Sequence, residues 1–236
     1  MRFLQLTDTH FGLPANSTGS RTFAALAANV VAGRIATAMA THDEAVVAAL
    51  RVFVELESPE LDAVLCSGDL ATTGDERDLA LAAAFLSDLI PESVPCFVLP
   101  GNHDRFGGPP LYPPGGTAFD TFVVGPRLRP LASPFGFGHQ RKGKCILSGL
   151  DLTLLTPAGG PLQFLRASGL GKARREILDP FARSLERIAT TGKTTHVVVV
   201  THYPLAIGQP MPVNHEVLGG DHVIRLLGDR WETRFS

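Results

Sequence analysis

Four short polar clusters hold the residues able to do chemistry. They are Asp8 and His10 in "LTDTHFG", Gly68 and Asp69 in "SGDL", Gly101 to Asp104 in "GNHD", and His202 in "THYP". Each follows an apolar run that reads as a buried strand: "FLQLT" (3–7), "DAVLCS" (62–67), "PCFVLP" (95–100) and "THVVVV" (195–200). In an open α/β sheet, ligands bind beyond the carboxyl ends of the strands. Four strands thus deliver an Asp, His or Asn to one edge. Any single cluster reads as an ordinary polar turn, since "SGDL" alone closes readily through an Asx hydrogen bond. Jointly they point to metal.

Oxygen and imidazole donors without cysteine suit Mn, Fe or Zn rather than a thiolate site. Two such ions held about 3.5–4 Å apart clamp the attacking and leaving oxygens of a phosphoryl transfer, and they ionise a water between them near pH 7. Such a pair needs a bridging carboxylate. Asp69 is the candidate, on a central strand with Gly68 permitting close backbone approach. Asp8 and His10 would then serve the first ion, and Asn102 and His202 the second.

The elements that must position these residues alternate in type. A fifth strand-like run, "KCILSG" (144–149), joins the four above. Between them lie helical patterns at 42–57, where Asp43 can cap the first turn, at 75–90, at 172–190 and at 215–229. Pro180 interrupts the third pattern and Gly219-Gly220 the fourth. Strand–helix alternation predicts an α/β protein with right-handed crossovers. Residues 13–41 hold one helix-like stretch, Thr22 to Met39, and the Gly/Pro-dense 106–139 reads as largely loop. With no internal repeat and no linker, residues 1–236 read as one domain.

Composition narrows the function. Over 236 residues the net charge is −2, with 44% hydrophobic and 19% charged residues, as in globular proteins. That balance lacks the basic face of a nucleic-acid binder. The longest apolar run, "HVVVV", is too short to span a membrane. Met1-Arg2 leads straight into a strand pattern rather than a leader-type apolar run. Cys66, Cys96 and Cys145 form no CxxC pair and read as buried free thiols, which suits a reducing cytoplasm.

Asp-x-His, Gly-Asp, Gly-Asn-His-Asp and a later His, in this order across residues 8–204, resemble the calcineurin-like metallophosphoesterase superfamily. Within it, "LTDTHFG…SGDL…GNHDR" is most similar to the bacterial branch that includes class III cyclic-nucleotide phosphodiesterases. The resemblance implies a four-layer α/β/β/α sandwich of two mixed sheets flanked by helices, with two divalent ions at one sheet edge. It also implies that Asp8 and His10 bind the first ion, that Asp69 bridges, and that Asn102 and His202 bind the second. His103 would protonate the leaving oxygen or steady the phosphate, and Asp104 would orient His103.

One family motif is missing. No Gly-His-x-His follows "VIRLLGD", only Arg230 to Ser236. The expectation is a C-terminally incomplete domain without its last strands. Three explanations compete: truncation or frameshift near residue 230, natural loss, or replacement of the ligands by His215, His222, His139 or a second subunit. Losing even a group that orients a ligand costs about 10–100-fold in metal affinity or activity. Weak metal retention and low activity are therefore expected.

The expected function is dinuclear-metal hydrolysis of a small phosphodiester or phosphomonoester. The alternative is an impaired or truncated relative that binds phosphate or a partner without turnover. Substrate choice would rest on the loops at 13–41, with Arg21 and Arg34, and at 105–140. The basic cluster "GFGHQRKGK" (136–144) reads as a solvated turn.

Overall fold

The computed structural model describes residues 1–11, 44–71, 74, 76–105, 118–153, 171–190, 196–203, 205, 217–218, 223 and 225. The first sheet joins β1 (Phe3–Leu6), β2 (Ala63–Cys66), β3 (Cys96–Val98) and β4 (Leu128–Pro130) in that order. Every pair in it is parallel. Helices α1 (Glu44–Glu57), α2 (Glu76–Leu89) and α3 (Ala118–Phe122) accompany this half. The second sheet is mixed. The hairpin β5 (Phe137–Lys142) and β6 (Cys145–Leu150) is antiparallel, and β6 pairs in parallel with β8 (His196–Val200). Helix α4 (Arg175–Thr190) precedes β8, and β7 (Gly171–Lys172) pairs with β9 (Val217–Leu218).

Side-chain alternation along the strands builds the layers. In β2, Val64 and Cys66 face one apolar cluster with Leu79, Leu86 and Phe119 from the helices, while Ala63 and Leu65 face the other way. The inner residues meet Phe97, Leu131, Leu147 and Val200, so this cluster lies between the two sheets. Ile146 and Leu150 of β6 face Leu178, Phe181 and Leu185 of α4. The result is helix, sheet, sheet, helix, as the resemblance implied, except that the first sheet is parallel rather than mixed.

Four expectations about elements change. Within 106–139, residues 118–122 are helical, residues 128–130 form β4, and β5 begins at Phe137. The cluster at 136–144 is mostly β5 and its hairpin turn rather than a solvated turn. Phe137 packs on the α4 cluster, and Arg141 donates to the Ile188 carbonyl at 2.8 Å. Of the pattern expected to be helical at 215–229, the described residues 217–218 form β9, while Val223 and Arg225 are helical. Pro180 does not end its helix. An interior proline costs about 3 kcal/mol, but each fully buried Leu or Phe returns about 1.5–3 kcal/mol, and Leu178, Phe181 and Leu185 are all buried. The stretch Thr22 to Met39 lies outside the described residues.

Cys66, Cys96 and Cys145 are free and buried, as read from the sequence. Among the described residues no helix is long and apolar enough to cross a membrane. His139, weighed above as a replacement ligand, sits in β5 with its ring stacked on Phe181 at 5.6 Å and Nδ1 2.9 Å from the Ser148 hydroxyl.

Two outcomes follow. Leu147 is fully buried between the sheets, so Leu147→Ala should cost about 2–5 kcal/mol in urea unfolding. Burial lowers the His139 pKa from 6.5, so the unfolded chain takes up the proton more readily. His139 therefore contributes stability that is present above about pH 6.5 and lost as the pH falls through its lower folded value. Urea midpoints at about pH 7.5 and 5 should differ less in His139→Gln than in the parent protein.

Candidate metal centre

The polar clusters converge because the ladder between β1 and β2 continues past both strands. The amide of Asp8 donates to the Gly68 carbonyl at 3.0 Å, His10 to Asp69 at 3.0 Å, and Phe11 to Leu70 at 2.7 Å. Along this extension Asp8, His10 and Asp69 adopt left-handed φ values of 53°, 45° and 51°. Asp and His tolerate that region better than most residues, yet each such residue still costs about 1–3 kcal/mol. Gly68, at φ 108°, turns the chain where β2 ends. A Cβ at Gly68 would stand 2.5 Å from the Gly101 nitrogen, and one at Gly101 would strike Asp69. Glycine at both positions lets the loops after β2 and β3 touch.

Asp69 lies at the centre of this contact, 4% exposed. Its Oδ2 is 3.8 Å from His10 Nε2 and 4.0 Å from His103 Nε2. Its Oδ1 is 3.5 Å from His202 Nε2 and accepts the His103 amide at 2.8 Å. Asp8 Oδ1 is 3.8 Å from His10 Nε2, and the His10 and His103 rings meet edge to face at 4.8 Å. His202 Nδ1 lies 3.0 Å from the Ser67 carbonyl and Nε2 3.1 Å from Asn102 Oδ1. In the tautomer that donates Nδ1–H to Ser67, Nε2 turns a lone pair toward Asn102. Asn102 Nδ2 is buried without a partner among the described residues.

These donors suit divalent cations. Ligands sharing an ion at about 2.0–2.2 Å stand roughly 3–4 Å from one another. His10 meets that spacing with Asp8 and with Asp69 on one side, and His202 meets it with Asp69 and with Asn102 on the other. Lone pairs of Nε2 and two oxygens facing one another are an arrangement that a cation relieves. The donor atoms of His10, Asp69 and His103 also fall within 4.8 Å of one another.

The electrostatics agree. Burial pushes the Asp69 carboxyl up, but His103, His202, His10 and the His103 amide outweigh it and hold the group below the usual carboxylate range. Burial, with His103 beside it, holds the His10 imidazole below 6.5, in the neutral form that ligates. Burial and the nearby Asp69 push Asp104 up to about 7 against three opposing amides.

Those amides correct one expectation. Asp104 accepts from Gly101 at 2.9 Å, Ala71 at 2.9 Å and Leu70 at 3.2 Å. Its carboxylate staples the loop carrying His103 to the loop carrying Asp69, and it positions His103 through the main chain. All five expected ligands, with His103 and Asp104, come together at this edge. His215, His222, Arg21 and Arg34 lie outside the described residues. Sequence reading missed the Ser67 carbonyl, Arg105, which is 1% exposed, and Asp151, which is fully buried. Asp151 follows β6 as Asp69 follows β2, and that position was the available signal.

A family model for calcineurin-like phosphoesterases matches residues 1–230. This chain belongs to the calcineurin-like phosphoesterase family. No curated protein matches it. Membership makes the chain, in class, a metal-dependent phosphoester hydrolase. The strand-end edge holding His10, Asp69 and His103 is its possible metal site.

Replacing Asp104 tests the staple. A buried donor left without a partner costs about 1–3 kcal/mol, and Asp104→Ala strands three. Urea unfolding should show a loss of at least about 3 kcal/mol, with Asp104→Asn less damaged because it keeps one acceptor oxygen.

Proposed function

We propose that this calcineurin-like phosphoesterase hydrolyses a small phosphodiester or phosphomonoester using two divalent ions, Mn, Fe or Zn. One observation carries the reading: the Asp69 carboxylate faces His10 with one oxygen and His202 with the other. A carboxylate so placed can hold two cations at once. Asp8 and His10 would complete one position, and Asn102 and His202 the other. When bound, the pair would supply a nucleophile ionised near pH 7 and positive charge against the phosphoryl oxygens.

The chain's own residues supply the rest. His202 keeps Nε2 free of a proton by donating Nδ1–H to Ser67. His103, buried beside Asp69, is placed to carry a proton on Nε2 to the leaving oxygen. The left-handed backbone at Asp8, His10 and Asp69 aims these side chains before any substrate arrives. That is preorganisation.

The net charge of −2 favours a small substrate over a polynucleotide, and similarity to the class III cyclic-nucleotide branch favours a phosphodiester. The buried free thiols fit a cytoplasmic setting. The alternative reading is a phosphate-binding protein without turnover at the same edge.

Mn²⁺-dependent hydrolysis of bis-p-nitrophenyl phosphate separates the two. The parent chain should turn over slowly, and Asp69→Asn should lose at least about 100-fold. Folded protein that is inactive in both forms, yet retains inorganic phosphate in calorimetry, would establish the second reading instead.

A further inference from the structure

Arg105 closes the loop after β3, and Asp151 follows β6 in the other sheet. Arg105 Nη2 donates to Asp151 Oδ2 at 2.8 Å, and Nη1 donates to Asp120 of α3. The rings of Phe135 and Phe119 lie 4.5 and 5.5 Å from the guanidinium carbon. Asp151 also accepts the Phe135 amide at 2.8 Å, the Thr153 amide at 3.1 Å and the Thr153 hydroxyl. Phe135 is held at φ 51°, with its carbonyl accepting from Arg174 at 2.8 Å.

Burying ions this completely is expensive, and apolar residues of similar volume often serve stability better. A reason for the pair lies close by. The second set of metal donors straddles the two sheets: Asn102 comes from the loop after β3, and His202 from the end of β8. The spacing between them depends on how the sheets are held together at this edge. Arg105 and Asp151 tie the same two sheets there, Arg105 on Asn102's own loop and Asp151 just past β6, the strand beside β8.

We propose that the Arg105–Asp151 ion pair is a positioning element that sets the separation of Asn102 and His202 and so the affinity of the second metal position. The pair touches neither ion nor substrate. Asp120, on the more exposed side of Arg105, helps to balance its charge without spanning the sheets. The inference rests on the two-position reading above.

Mn²⁺ titration of the 236-residue chain, followed by the electron paramagnetic resonance of free Mn²⁺, tests it. Folding of each variant is checked by circular dichroism. The parent chain should show two positions. Asp151→Asn, which keeps the volume and an acceptor oxygen, should weaken one position by about 10-fold or more and leave the other within about threefold. Arg105→Lys keeps the charge but loses the fork, and should give a smaller loss at the same position. Asp120→Asn should move neither. Should Asp151→Asn fail to fold, Arg105→Lys decides. Two positions in the parent with both weakened alike, or neither moved, in folded variants would overturn the positioning role alone. A parent chain with no second position would overturn this inference together with the two-position reading.

Discussion

The metal edge depends on one carboxylate that need touch no metal. Asp104 accepts the main-chain amides of Leu70, Ala71 and Gly101, which belong to the loops after β2 and β3. Those loops meet where Gly68 and Gly101 leave no room for a Cβ. Without an acceptor there, three buried amides would lack a partner and the two loops would lose most of the hydrogen bonds that join them. With it, the Asp69 carboxylate is trapped between His10 and His202 and accepts the His103 amide as well. Each of these groups is then oriented by the others. The left-handed backbone at Asp8, His10 and Asp69 is strain that this network sustains.

The layers explain why such an edge can exist. The parallel first sheet ends all of its strands in the same direction, so the loops after β1, β2 and β3 emerge together. The second sheet adds His202 because β8 runs parallel to β6 and is packed face to face with the first sheet through Leu65, Phe97, Leu147 and Val200. Apolar burial between sheets sets their spacing over most of the contact. At the metal edge the apolar filling gives way to buried charge, with Arg105 and Asp151 in its place. Catalytic geometry and core packing are thus joined at that boundary.

Much of this was readable from residue order. The strands at 3–6, 63–66, 96–98, 145–150 and 196–200 fall on the apolar runs, because strands packed on both faces leave continuous hydrophobic sequence. The converging candidate ligands were legible for a related reason: polar residues immediately after such strands have few places to go except the common edge. β4 and β5 were not legible. β4 is three residues containing Arg129 and Pro130 on a sheet edge, and β5 carries Arg141 and Lys142 among its apolar contacts. Their strand character comes from partners far away in sequence.

The sequence by itself determined the chemistry on offer: which donors exist, the order in which they follow their strands, and membership of the calcineurin-like phosphoesterases. Tertiary structure alone decided how they are used. It turned the two oxygens of Asp69 toward histidines from different sheets, set His202 Nδ1 against the Ser67 carbonyl, and spent Asp104 on main-chain amides rather than on an imidazole. It also buried Arg105 against Asp151 across 46 positions of sequence. Local residue patterns report which groups a strand end must expose to its loop. The partner each group meets is fixed only when two sheets close on one another, because contacts a few ångströms long are set by packing between segments that are remote along the chain.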